Sequence, residues 1–158
     1  MNNPSEKDHP PVSLGIIGGS SAYKLLANGV LGEKQNTIIF DTPFGKSAPI
    51  HHFRAGSLHY LFLSRHGEKN YSITASFINY RANIYALKEL GVERILSWSG
   101  PGIINTSFKP SEYVLPNDII DETRKRETTF FKDGGIGFIR QNEPFCPQIR
   151  SVAHDLMH

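Results

Sequence analysis

Short apolar runs, each ended by glycine, proline or small polar residues, recur along the first hundred residues of the chain. Runs of this length that are rich in β-branched and aromatic side chains are typical of strands. The pattern predicts strands at residues 12–17, 37–40, 49–54, 58–64 and 92–98. The runs at 49–54 and 58–64 flank Ala55-Gly56-Ser57, which predicts a hairpin with a three-residue connection. Residues 41–46 contain proline and glycine and predict a loop.

One segment has the period of a helix. Tyr80 and Leu87 stand on one face of a helix predicted over residues 80–90. Asn79 precedes this apolar face, where asparagine caps a helix, and we expect Asn83 to bond to another element. A hairpin followed by a helix and a further strand predicts a mixed α/β sheet with flanking helices.

The pattern weakens beyond residue 99. We expect strands at residues 113–115 and 134–139 and a helix at 148–157. The first eleven residues, 1–11, are polar and contain several prolines, so we expect a disordered tail. Residues 12–158 are then expected to form one domain.

The composition excludes several classes of protein. The 158 residues are 39% hydrophobic and 20% charged, which excludes a fully disordered chain, collagen and a coiled coil. The net charge of +2 is too small to predict binding to nucleic acid or to an anionic membrane, although it suits a small anion. No run approaches the roughly 18 to 20 apolar residues that cross a bilayer. The single cysteine allows no internal disulfide and favours a cytoplasmic setting.

Three predicted strands end in residues suited to an anion. Gly18-Gly19-Ser20-Ser21 follows the first strand, Arg65-His66 the second hairpin strand, and Ser99-Gly100 the last. Backbone N–H groups and hydroxyls wrap phosphate, and arginine binds it through two hydrogen bonds. Because strand ends in α/β sheets meet at ligand sites, these residues are expected to converge on one anion. Alternatively, the glycines only supply the φ angles of a strand-to-helix turn, and the Arg-His pair is solvated.

The remaining histidines and the cysteine point to a functional site less clearly. His51, His52 and His59 lie on the two hairpin strands, but no further ligand has a defined spacing. We interpret them as residues on the sheet surface and predict no metal site. Cys146 has no basic activator near it in sequence and is predicted to be a packed thiol.

Five stretches at residues 15–20, 41–46, 65–67, 79–88 and 143–147 read GIIGGS, DTPFGK, RHG, NYRANIYALK and EPFCP. Taken in order, they resemble the methylthioadenosine phosphorylase branch of the purine nucleoside phosphorylase family. The resemblance implies an α/β fold around a mixed, partly barrel-like sheet, and a homo-oligomer, either a trimer or a dimer of trimers. It implies no cofactor, with inorganic phosphate as the co-substrate.

The reaction that the resemblance implies is phosphorolysis. Phosphate attacks the anomeric carbon of methylthioadenosine or a related purine nucleoside, and base and sugar 1-phosphate are released. The matching motifs imply a phosphate-binding set of Ser20, Arg65, His66, Ser99 and Gly100. Trp98 and Pro101 depart from the family's pattern around Ser99, since Trp98 adds bulk and Pro101 lacks a backbone donor.

Members of this family continue well beyond the EPFCP motif. We therefore expect residues 12–158 to be the truncated, N-terminal portion of a nucleoside phosphorylase-like domain. The resemblance implies that the remaining portion binds and protonates the purine, so the choice between adenine and a 6-oxopurine stays open. Two alternatives also stay open: a non-catalytic relative that binds phosphate or serves as an assembly partner, and a gene fragment that folds poorly because its sheet has an unpaired edge.

Overall fold

The apolar runs of the sequence form a sheet in the computed structural model, which describes residues 12–135 and 142–157. The strands are β1 (Leu14–Gly18), β2 (Glu33–Ile38), β3 (Asp41–Thr42), β4 (Gly45–Lys46), β5 (Ile50–Ala55), β6 (Leu58–Ser64) and β7 (Arg94–Trp98). The helices are α1 (Ala22–Ala27), α2 (Tyr80–Glu89) and α3 (Pro147–Met157), with a 3₁₀ turn at Ala75–Phe77. The chain divides into two units, one ending at Gly100 and one beginning at Pro101.

The main sheet of the first unit has the strand order β2-β5-β6-β1-β7. Strand β1 is parallel to both β6 and β7, whereas β5 is antiparallel to β2 and β6. Gly18 pairs with Ser64 on one side and with Trp98 on the other, so three strands end at the same level. The predicted mixed α/β sheet is confirmed, and the three strand ends lie together as expected, while their binding of one anion stays a prediction.

The predicted hairpin is confirmed with a shorter connection. Ala55 pairs with Leu58, so only Gly56 and Ser57 link the strands, and Gly56 has a φ of 63°. A glycine fits there because two-residue hairpin turns require positive φ. The predicted loop at residues 41–46 is instead the small antiparallel pair β3–β4.

Helices cover both faces of the sheet around β1. A Cβ on Gly15 would lie 3.6 Å from the Leu87 side chain of α2, whereas a Cβ on Gly18 would contact Ala22 of α1. Residues at odd spacing on a strand point to opposite faces, so α2 and α1 pack on different sides. Ala22 and Leu87 are both completely buried in the core.

The predicted roles of the two asparagines of α2 are confirmed. The Asn79 side chain accepts a hydrogen bond from Ala82 N and caps the helix. Asn83 is buried and accepts a hydrogen bond from Ala48 N at 2.8 Å. The second asparagine thereby ties α2 to the segment before β5.

The prediction that the histidines lie on the sheet surface is wrong for His51 and His52. These neighbours on β5 are only 3% and 4% exposed, although they point to opposite faces of the sheet. His51 Nδ1 is 2.8 Å from the Thr37 hydroxyl, and its Nε2 bonds to Glu68. His52 Nε2 lies 2.9 Å from Nδ1 of His59, which is half-buried. Buried imidazoles need such partners.

The second unit matches its predictions only in part. The expected helix at residues 148–157 is confirmed as α3. The expected strand at 113–115 is wrong, because these residues pair with no strand in the described part of the chain. The expected packing of Cys146 is also wrong, since the turn before α3 leaves this thiol exposed. The tail at 1–11 and most of the strand expected at 134–139 fall outside the described residues.

Candidate functional site

The site is built on the aligned ends of β6, β1 and β7. Gly19 N donates a hydrogen bond to Trp98 O at 2.9 Å, and Arg65 N donates to Gly18 O at 3.1 Å. These two bonds continue the parallel pairing one residue beyond β1. The backbone therefore fixes the first residues after each strand against one another.

Arg65 crosses from the end of β6 toward the end of β7. Its Nη2 donates to the Ser99 hydroxyl at 3.0 Å, and its Nε donates to Nε2 of His66 at 3.1 Å. The structure thus brings together three of the residues implied by the motifs: Arg65, His66 and Ser99. Residues 65 and 99 follow the strands on either side of β1, and the Arg65 side chain crosses the end of β1 at Gly19 to reach Ser99.

Gly19 lies in the middle of this arrangement and has no room for a side chain. A Cβ on Gly19 would lie 2.6 Å from Trp98 O, 3.0 Å from Ser99 Cα and 3.2 Å from Arg65 Nη2. Gly18 and Gly19 are not among the glycines with positive φ in the described residues. A strand-to-helix turn is present, but these glycines are needed for close packing and not for φ. We call Gly19, Arg65 and Ser99 the anion cradle.

Ser20 and Gly100 adjoin the anion cradle in sequence. Ser20 is half-buried, and its hydroxyl has no hydrogen-bond partner among the residues that the structure describes. Gly100 is exposed, and a Cβ there would meet no atom within 4 Å. The Ser20 hydroxyl and the Gly100 backbone N–H are therefore both available to a ligand.

The charge of the cradle favours an anion. Within residues 12–135 and 142–157, no carboxylate forms an ion pair with Arg65. The half-buried guanidinium beside the Ser99 hydroxyl is therefore not neutralised by a carboxylate of the described residues. Arginine and hydroxyl donors together suit a phosphate-sized anion. No group of three metal-ligating side chains occurs in the same described residues.

Trp98 does not fill the cradle. Its ring contacts Phe62, with 6.0 Å between centroids, and would lie 3.3 Å from a Cβ on Gly18. Both contacts are on the sheet face that carries α1, so this unexpected side chain lies beside α1, where it stays 38% exposed.

Sequence reasoning missed the segment that supports His66. The imidazole is 2% exposed, and its Nδ1 lies 2.8 Å from Ile73 O. The Tyr71 ring stacks on it, with 4.1 Å between centroids and 24° between planes. No periodicity or motif marks Tyr71, which lies in a polar connection between β6 and the 3₁₀ turn.

A separate cavity of about 710 Å³ opens in the second unit. It is lined by residues that include Tyr113, Leu115, Arg150 and His154. None of the residues implied to bind phosphate lines it, so this cavity is not the candidate site. In the described part of the chain, no helix combines the length and apolarity that crossing a membrane requires.

Comparison with known sequences identifies one family of enzymes. The phosphorylase superfamily model matches residues 13–157. A probable S-methyl-5'-thioinosine phosphorylase of Methanocaldococcus jannaschii is 39% identical over 144 residues, which are 91% of this chain and 53% of that protein. The S-methyl-5'-thioadenosine phosphorylase of Thermococcus kodakarensis is 36% identical over 90% of this chain and 53% of its own length.

Solved structures agree with the sequence relatives. The methylthioadenosine phosphorylase of Schistosoma mansoni in complex with adenine is similar with a TM-score of 0.81 and 33% identity, over 91% of this chain and 50% of that one. A methylthioadenosine phosphorylase from an antarctic soil metagenomic library has a TM-score of 0.78 and 37% identity, over 89% and 48%. The chain spans about half the length of these relatives. With the family model matching nearly its whole length, the chain belongs to the phosphorylase superfamily.

Proposed function

We propose that this chain takes part in the phosphate-dependent cleavage of the N-glycosidic bond of methylthioadenosine or a related purine nucleoside. The observation that carries the proposal is the Arg65 guanidinium, which bonds to Ser99 and has no carboxylate partner among the described residues. The names of the relatives supply the nucleoside class. Products are the free base and a sugar 1-phosphate.

In this proposal the phosphate-binding set is Ser20, Arg65, His66, Ser99 and Gly100. Arg65 fixes the phosphate charge, and the hydroxyls of Ser20 and Ser99 orient its oxygens. A phosphate held below the ribose is both the nucleophile and a negative charge beside the sugar, where positive charge develops as the bond breaks. Fixing its position removes much of the entropic barrier to attack.

A second candidate function is phosphate binding without turnover. It is favoured by the character of the cradle, in which an arginine and hydroxyl groups offer hydrogen bonds to an anion. The chain also spans about half the length of its relatives. As further proposals, the protein acts in the cytoplasm and assembles as a homo-oligomer.

The test is a phosphorolysis assay on the 158-residue chain. Methylthioadenosine is incubated with and without inorganic phosphate, release of adenine is followed chromatographically, and phosphate binding is measured by calorimetry. Arg65→Ala should abolish phosphate-dependent release and phosphate binding. Arg54→Ala is the matched control, because Arg54 is an exposed arginine that pairs with Glu33 on β2.

The outcomes separate the two functions. Phosphate-dependent release that Arg65→Ala abolishes and Arg54→Ala retains supports phosphorolysis. Phosphate binding that depends on Arg65, without release of base from any purine nucleoside, supports the second function. If phosphate does not bind, both are refuted.

A further inference from the structure

Both ring nitrogens of His66 are already engaged inside the protein. Nδ1 lies 2.8 Å from the carbonyl oxygen of Ile73, and Nε2 accepts the Nε–H of Arg65 at 3.1 Å. The ring is 2% exposed. The imidazole is therefore in contact with Arg65 and not open to a ligand of its own.

These partners define one tautomer. A carbonyl oxygen only accepts hydrogen bonds, so Nδ1 carries the proton that points to Ile73. Arg65 Nε only donates, so Nε2 presents its lone pair to the guanidinium. His66 thus holds one edge of Arg65 while Ser99 accepts from Nη2 on the other side. The orientation of the guanidinium depends on the orientation of this ring.

The connection after β6 keeps the ring in place. Tyr71 is 47% exposed and covers one face of the His66 imidazole at a centroid distance of 4.1 Å. The backbone oxygen of His66 accepts hydrogen bonds from Ser72 Oγ at 3.2 Å and from Ile73 N at 3.0 Å. Glu68 anchors the same connection through its bond to the buried His51.

We propose that Tyr71 is a positioning residue of the anion cradle, which acts through the stacked His66 ring to fix the Arg65 guanidinium. This inference rests on the proposed function, because the guanidinium is positioned for phosphate. Within the proposed phosphate-binding set, His66 therefore acts through Arg65 and not by direct contact with the anion. The Tyr71 hydroxyl has no bond among the described residues, so the aromatic ring is the part that matters.

A stacked aromatic pair contributes a modest interaction free energy, and this free energy sets the size of the change in phosphate affinity. Loss of the ring in Tyr71→Ala is expected to weaken binding of inorganic phosphate between about twofold and tenfold. Tyr71→Phe keeps the ring and should bind phosphate as the unchanged chain does. Phe77→Ala is the control, since Phe77 is an exposed aromatic residue in the 3₁₀ turn that follows the same connection.

Two measurements on the full chain test the inference. Calorimetric titration with inorganic phosphate gives the affinity. Long-range ¹H–¹⁵N correlation spectra without phosphate give the His66 tautomer, with Nε2 as the unprotonated nitrogen in the unchanged chain. In Tyr71→Ala the Nε2 signal should move toward the mean of the two tautomers, and in Tyr71→Phe it should stay. Tyr71→Leu replaces Tyr71→Ala if the alanine variant does not fold.

An Nε2 signal that Tyr71→Ala leaves unchanged overturns the inference, whatever phosphate does. Unchanged phosphate affinity in Tyr71→Ala, beside a loss of binding in Arg65→Ala, overturns it as well. The proposed function fails separately. If the chain binds no phosphate but the Nε2 signal moves in Tyr71→Ala, phosphorolysis is refuted and the positioning of His66 by Tyr71 is retained.

Discussion

Gly19 offers the sharpest test of the anion cradle, because its substitution by alanine adds one methyl group at the centre of the site. The added Cβ would lie 2.6 Å from Trp98 O and 3.0 Å from Ser99 Cα. Both neighbours are backbone atoms, which cannot rotate away as the end of a side chain can. The strand end that carries Ser99 must therefore move away from β1.

The size of the effect follows from these distances. Restoring an ordinary contact of 3.4 Å from 2.6 Å requires a movement of about 0.8 Å. The same movement would stretch the Gly19 N–Trp98 O bond and the Arg65–Ser99 bond, now 2.9 Å and 3.0 Å, beyond hydrogen-bonding distance. Overpacking of this kind costs about 1–3 kcal/mol. Hydrogen bonds to charged groups contribute about 1.5–3 kcal/mol, so phosphate affinity should fall about tenfold or more.

Thermal melts and phosphate titrations measure the two effects. Gly19→Ala should lower the melting temperature by at least about 2 °C and weaken phosphate binding together with it. Gly102→Ala is the control, because a Cβ there meets no atom within 4 Å and φ is not in the left-handed region. A Gly19→Ala chain that melts and binds phosphate like the Gly102→Ala chain would refute the close-packed cradle.

Three further predictions concern the scaffold and are checked by denaturant or thermal unfolding. Leu87→Ala should cost about 2–5 kcal/mol, because the side chain is completely buried between α2 and the sheet. Asn79→Ala should cost about 0.5–2 kcal/mol, since the cap on Ala82 N is lost. Burial raises the pKa of Tyr60, so its contribution to stability is present below the phenol's unfolded pKa of about 10 and is lost as pH rises through the folded value. Tyr60→Phe should therefore flatten the loss of stability at alkaline pH, and an unchanged slope of stability against pH would contradict this prediction. The predictions for Leu87 and Asn79 fail if either alanine variant unfolds like the unchanged chain.

The sequence pattern located most of the sheet because its strands are short apolar runs ended by small residues. Strand β2 was placed too late, at 37–40 in place of Glu33–Ile38, because its first residues are polar. Strand β2 lies at the edge of the sheet, where side chains are solvated and the apolar signal is weak.

The histidines show a different limit of local reasoning. Neighbouring residues on a strand point to opposite faces of the sheet. When both are polar, local reasoning places at least one of the two side chains in solvent. His51 and His52 are both buried, and each imidazole has a polar partner, Glu68 for His51 and His59 for His52. The hairpin pattern places His59 on the neighbouring strand, whereas no local signal marks Glu68.

The candidate site was predictable as a set of strand ends but not as a set of contacts. Glycine, hydroxyl and arginine residues after strands, Arg65 and Ser99 among them, indicated an anion, and the family resemblance implied that this anion is phosphate. The bond between Arg65 and Ser99 depends on the insertion of β1 between β6 and β7, which local patterns do not specify. Tyr71 was missed for the same reason, because its contact with His66 depends on the path of the connection.

The central place of β1 also bears on the order in which the chain folds. Strands β5 and β6 close through two residues, whereas β1 and β7 pair Leu14 with Arg94, which are 80 positions apart (94 − 14). Pairing of strands that are distant in sequence loses more loop-closure entropy than closing a short hairpin. We therefore expect the β5–β6 hairpin to form early and the β1–β7 contact late. Ser99 reaches Arg65 only after that contact exists. Phosphate would then slow unfolding while leaving the folding rate nearly unchanged, because its site is absent from the transition state.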